Sequence, residues 1–151
     1  MRILYYFIRY TFKIKFRFSI LFLIYFYPLD FGFAESILID DLVMREGKYY
    51  KIFSNTPFTG HVTGILNGKI KDGKWEGIWK HFYKNGPLGS KIYYENGKKE
   101  GPFETYHGNG QVLSRGNYKN GLLHGILEIY DIHGKLKVQR FFKNGSENIQ
   151  K

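Results

Sequence analysis

The sequence predicts an all-β fold: an antiparallel β-meander of repeated hairpins behind an N-terminal signal peptide. Three observations carry that prediction. Glycines recur at a spacing of 24 residues in three series: Gly73, Gly97, Gly121 and Gly145; Gly77, Gly101 and Gly125; Gly86, Gly110 and Gly134. Self-similarity at a fixed period of this size marks a repeat architecture. Apolar columns keep the same phase: Phe82, Tyr106 and Tyr130; Tyr94, Tyr118 and Phe142; Leu88, Val112 and Leu136; Trp79, Phe103 and Leu127. Turn dipeptides punctuate every unit twice, first at Asn85-Gly86, Asn109-Gly110 and His133-Gly134, then at Asn96-Gly97, Asn120-Gly121 and Asn144-Gly145.

In chain order, residues 1–34 have the pattern of a signal peptide. A basic, aromatic stretch precedes the uncharged apolar run Phe18–Tyr27, Pro28 breaks that run, and Gly32 and Ala34 place small residues at −3 and −1 of a cut after Ala34. The apolar run is about ten residues, whereas a spanning helix needs roughly 20. Export to the periplasm, the outer envelope or the medium is the expectation. The alternative is an inner-membrane anchor through an uncleaved N-terminal segment, because Ile3–Ile8 is also apolar.

Residues 35–69 read as an N-terminal β cap. Leu42–Arg45 and Tyr49–Phe53 flank Glu46-Gly47-Lys48, and Pro57-Phe58-Thr59-Gly60 leads to a strand near His61–Ile65. Terminal units of repeat arrays are atypical because one side lacks a neighbour. Residues 70–145 form three hairpin repeats, with strands expected at 77–84, 88–95, 101–107, 112–119, 125–131 and 136–143. Residues 146–151 read as a polar tail.

Five of the six turn dipeptides are Asn-Gly, which suits type I′ turns because both central residues then need φ > 0. In the second strand of each unit, alternation puts Leu88, Ser90, Ile92 and Tyr94 on one face and Lys91 on the other, with Arg115 and Gln139 repeating the Lys91 position. In the first strand Trp79 and Phe82 have opposite parity, so they share a face only if a bulge intervenes.

Composition excludes several kinds of chemistry. The chain has no Cys, hence no disulfide, thiol nucleophile or thiolate metal site. Of 23 basic residues five lie before residue 35, as does one of 13 acids, which leaves the remainder at +6. That balance is ordinary for solubility, with a weak preference for anionic surfaces. The histidines His81, His107, His124 and His133 fall at four different repeat positions, so they do not stack into a site, and no cofactor or metal is expected. Glu76, Glu100, Glu104 and Glu128 read as a solvated rim. Ser90 and Ser114 lack an activating His or acid at fixed spacing. The glycines precede strands rather than helices, which argues against a phosphate loop. Acids interleave the basic column, and with export this makes nucleic acid a poor partner.

The aromatic columns read first as core. A single-layer sheet nevertheless leaves one face or its edge uncovered, and the surface proposed from sequence is Trp75, Trp79, Tyr83, Lys91, Tyr93 and Arg115.

Asp72-Gly73-Lys74-Trp75-Glu76-Gly77-Ile78-Trp79 followed by Phe82-Tyr83-Lys84-Asn85-Gly86, and the matching stretch Asn96–Phe103 with Tyr106 and Asn109–Val112, resemble the variant MORN repeat of bacterial proteins in the YwqK-family antitoxin group. The likeness extends over residues 42–145 and includes Pro57-Phe58-Thr59-Gly60. The third unit departs from it, with Leu122-Leu123-His124 in place of charged residues and Asp131-Ile132-His133 before the turn glycine, which predicts a less regular last hairpin. The resemblance implies a non-enzymatic module for protein binding or scaffolding, antitoxin-like or immunity-like, with an unidentified protein partner. The alternative function is a peripheral envelope protein that contacts anionic lipid through basic and aromatic residues.

Overall fold

The computed structural model describes residues 36–148. The expected signal peptide and its Ala34 cut lie outside the described residues. Strands β1 (Ser36–Leu38), β2 (Leu42–Arg45), β3 (Lys48–Lys51), β4 (Gly60–Thr63) and β5 (Leu66–Lys71) make up the N-terminal region. The units follow as β6 (Lys74–Phe82), β7 (Leu88–Glu95), β8 (Lys98–Tyr106), β9 (Val112–Lys119), β10 (Leu122–Leu123), β11 (Gly125–Tyr130), β12 (Leu136–Lys143) and β13 (Ser146–Glu147). One sheet runs in the order β1-β4-β5-β6-β7-β8-β9-β11-β12-β13, with β10 on β9, while β2 and β3 form a separate hairpin. The all-β meander of antiparallel hairpins is as the sequence predicts, with one parallel pair among the described strands, β1 on β4.

The second strands β7, β9 and β12 have the predicted limits. The first strands do not. β6 and β8 begin three residues before Gly77 and Gly101, because these glycines, with φ of 71° and 65°, are bulges inside a strand rather than its start. β5 was not foreseen as a strand. It occupies the repeat position of β7 one period earlier, so the meander begins half a unit upstream of residue 70. Ser146 and Glu147, placed in the polar tail, pair with Lys143 and Phe142.

The two turn series differ in kind, which corrects the single turn type expected. Asn96, Asn120 and Asn144 have φ of 50–53° and the glycine after each has φ of 81–84°, the type I′ signature. In the other series only Gly86, Gly110 and Gly134 take positive φ. There Gly86 N–H donates to the Tyr83 carbonyl and Tyr83 N–H to the Pro87 carbonyl, at 2.9 and 2.8 Å. This is a type I turn closed by a left-handed glycine. The residue before that glycine needs no positive φ, which is why His133 serves as well as Asn. The last turn is accordingly regular, with Gly134 N–H to the Asp131 carbonyl and Asp131 N–H to the Lys135 carbonyl, both 2.9 Å. Irregularity appears instead in the first strand of that unit, which breaks at His124 between β10 and β11.

A bulge follows each of these turns. His81 pairs with Ser90 but Phe82 with Leu88; Thr105 with Ser114 but Tyr106 with Val112; Ile129 with Val138 but Tyr130 with Leu136. The skipped residue carries Leu88, Val112 and Leu136 across to the face of Lys91, Arg115 and Gln139, contrary to simple alternation.

The core lies at the cap end. Leu42, Phe58, Val62, Ile70 and Trp79 are buried together, with Ile37, Tyr49, Leu66, Trp75 and Tyr94 packed around them. The cap is tied down by backbone bonds: Tyr49 N–H to the Gly73 carbonyl and Gly73 N–H to the Phe58 carbonyl, each 2.8 Å. The same tie recurs along the repeat as Gly97 to Trp75, Gly121 to Lys99 and Gly145 to Leu123, at 2.8–2.9 Å. Each type I′ turn thus rests on a strand two places back.

Candidate functional site

The two faces of the meander have different fates. On one, Trp79 packs over Gly68, stacks on Trp75 with ring centroids 3.9 Å apart, and donates its indole N–H to the Lys69 carbonyl at 3.1 Å. Tyr94 meets Trp75 edge-on, and Phe103 packs against Tyr118. Trp79 is 3% exposed and Trp75 is half-buried. Both were placed on the binding surface from sequence, and Trp79 is instead core. A large flat ring fits there because Gly68 leaves no Cβ beneath it. Tyr83 also leaves the list of free aromatics, since its hydroxyl donates to the Tyr106 carbonyl at 2.6 Å. His107, one period on, repeats that tie with Nε2 3.1 Å from the Tyr130 carbonyl oxygen.

The opposite face is open. Lys91, Tyr93 and Arg115 come together there in a shallow trough of about 500 Å³, whose walls also include Ile78, Glu104 and Ile126. Cross-strand register orders this face into rows. Lys80 pairs with Lys91, Lys91 with Glu104, Glu104 with Arg115, Arg115 with Glu128, and Glu128 with Gln139, a continuous ladder from β6 to β12. Beside it runs an apolar row in which Ile78 pairs with Tyr93 and Ile126 with Phe141, with Pro102 and Asn117 paired between them. The four apolar members are 38–50% exposed.

The ladder is internally bonded at its C-terminal end. Glu128 accepts from Arg115 Nε at 2.5 Å, from the Tyr130 hydroxyl at 3.0 Å and from Gln139 at 3.3 Å. The bond from Arg115, then that from Tyr130, holds the Glu128 carboxyl below its ordinary pKa. Glu104 accepts from the Tyr106 hydroxyl at 2.6 Å. Burial, reinforced by that bond, pushes the Tyr106 phenol up to about 12. These carboxylates were expected to be a plain solvated rim. Glu76 and Glu100 also have structural duties, accepting from the Asn96 and Asn120 N–H groups at 2.9 and 2.6 Å. His124 stands at the next equivalent position, and its Nδ1 is buried with no hydrogen-bond partner.

Sequence reasoning missed Ile78, Ile126 and Phe141. The signal was present: Ile78 and Ile126 are 48 residues apart, as are Tyr93 and Phe141. Proline and asparagine interrupt each column at its midpoint, so neither stood out. Among the described residues no group of three or more His, Asp or Glu side chains is placed to hold a metal ion.

Residues 99–120 and 123–144 each match the family model described as the MORN repeat variant. No curated protein and no solved structure matches the chain. Each matched segment covers most of one hairpin unit, from the first strand to the end of the second. Two adjacent units of the meander are therefore similar to the variant MORN repeat, a type commonly found in protein-binding or membrane-binding modules.

Proposed function

We propose that this chain is an exported, non-enzymatic module that binds a protein partner on its open face. The trough carries this reading. Exposed apolar side chains lie beside a ladder whose charges alternate in sign from Lys91 through Glu104 and Arg115 to Glu128. A polypeptide can offer opposite charges in the same alternation, whereas an anionic bilayer would meet Glu104 and Glu128 with like charge. The immunity-like reading rests on the resemblance to the YwqK group and makes a co-encoded toxin the first partner to try.

A photo-crosslinking residue at Tyr93, introduced into the producing cell, tests the proposal. Adducts to a protein of defined mass are expected, together with a product beginning at Glu35. Lipid adducts alone, or no adduct, would overturn the binding reading. One observation favours lipid as the second reading: Lys80 and Lys91 are exposed neighbours beside Ile78 and Tyr93. Salt-sensitive sedimentation with anionic vesicles would support it.

A further inference from the structure

We infer that the open face fits a second copy of this chain, docked face to face about a two-fold axis parallel to the strands and between β8 and β9. The inference rests on the protein-binding reading and names its partner. Across β6, β7, β8, β9, β11 and β12 the ladder reads Lys80, Lys91, Glu104, Arg115, Glu128, Gln139. A two-fold axis along the strands reverses this order while each row still faces its own counterpart, as an isologous interface requires.

The reversed order sets opposite charges against one another at its two inner steps and nowhere sets like against like. Lys91 meets the partner's Glu128, Glu104 meets the partner's Arg115, and Lys80 meets the partner's neutral Gln139. The apolar row obeys the same rule, with Tyr93 against the partner's Ile126 and Ile78 against the partner's Phe141. The other in-plane two-fold, perpendicular to the strands, would set Lys91 on Lys91 and Glu104 on Glu104 if it lay along the ladder, and would set charged on apolar side chains if it lay midway between the rows. Facing like charges in the first case, and charges buried on apolar groups in the second, disfavour that arrangement. Stacked sheets lie about 10 Å apart, a gap these side chains span. Six strands at about 4.8 Å spacing give a patch roughly 24 Å wide.

Sedimentation velocity across a concentration series, on the protein as purified from the producing cell, tests this. Wild type is expected to dimerise reversibly. Glu104→Arg puts a cation against the partner's Arg115, and Arg115→Glu puts an anion against the partner's Glu104, so each variant alone is expected to self-associate at least tenfold more weakly. Mixed in equal amounts, the two variants should dimerise with each other, because the contacts at the axis are again opposite in sign. Circular dichroism checks that each is folded. If either is not, Ile126→Ser on the exposed apolar row supplies the test and should weaken the dimer to a similar extent. A monomer at the highest soluble concentration, or a dimer indifferent to all three substitutions, overturns the inference. If that happens while crosslinking from Tyr93 still captures a different protein, the protein-binding reading survives without it.

Discussion

The cap end and the last unit place residues at the same repeat positions yet are held together differently. At one position stand Trp79, Phe103 and Leu127; at the position packed against it stand Gly68, Ile92, Gly116 and Arg140. Trp79 and Phe103 are 3% and 6% exposed, whereas Leu127, paired with Arg140, remains half-buried. The last unit relies on polar bonds: Arg115, Tyr130 and Gln139 on Glu128, and the Asp131 carboxylate accepting from the His133 and Lys135 N–H groups at 3.0 and 2.9 Å. The comparison teaches that a period sets backbone path and turn type, while side-chain volume at each phase sets how a unit is stabilised.

The strongest test substitutes one repeat position at both ends. A Cβ at Gly68 would sit 2.3 Å from the Trp79 ring, which is buried and cannot retreat. Gly68→Val is expected to prevent folding, with no cooperative transition in urea. At Gly116 the nearest atom is Phe103 Cε1 at 2.9 Å, and Gly116→Val should cost about 1–3 kcal/mol. Arg140→Val should stay within about 0.5 kcal/mol of wild type. Equal effects at all three would mean that the two ends do not differ as described.

Next in size is the column itself. Trp79→Ala should lose about 3–5 kcal/mol by urea unfolding, since it empties a buried site and removes the stack on Trp75. Leu127→Ala should lose only about 1 kcal/mol, because half of that side chain already meets water.

A smaller, stabilising change would sharpen the contrast. Glu76 and Glu100 each bond a turn N–H, and His124 occupies the equivalent place without doing so. His124→Glu should supply the missing bond to Asn144 N–H and raise stability by about 1 kcal/mol, read as a shift of the urea midpoint. Glu100→Ala should lower it by a similar amount.

The last test uses pH. The bond from Arg115 lowers the pKa of Glu128, and backbone N–H bonds, first from Lys135, lower that of Asp131. A carboxyl whose folded pKa is depressed contributes stability that is present above its unfolded value and lost as pH falls through the folded one. Protection against hydrogen exchange, relative to the intrinsic amide rate at each pH, should therefore fall in β11 and β12 on acidification below about pH 4 before it does so in β5 and β6. Glu128→Gln should flatten that difference.

Much of the architecture was legible because it depends on local chemistry. Asn-Gly pairs can be read as reversals without knowing their neighbours, and the limits of β7, β9 and β12 followed directly. Resemblance to the variant MORN repeat was carried by the same turn and packing residues, and the matched segments are the second unit and the third, although the third departs from the pattern at Leu122-Leu123-His124 and Asp131-Ile132-His133. The open face was legible only in part. Lys91, Tyr93 and Arg115 share the open trough, but Trp79 does not, because an aromatic column looks the same in sequence whether a glycine lies beneath it or water lies above it.

What the sequence by itself determined is the 24-residue period, the all-β class and the places where the chain turns, since each depends on the backbone preferences of a few consecutive residues. Tertiary structure alone decided which face is open. The bulges that move Leu88, Val112 and Leu136 across the sheet, and the ties from each turn glycine to a strand two places back, depend on pairing between residues far apart in the chain. A register shift of one residue exchanges the two faces, and only the assembled sheet shows where that shift occurs.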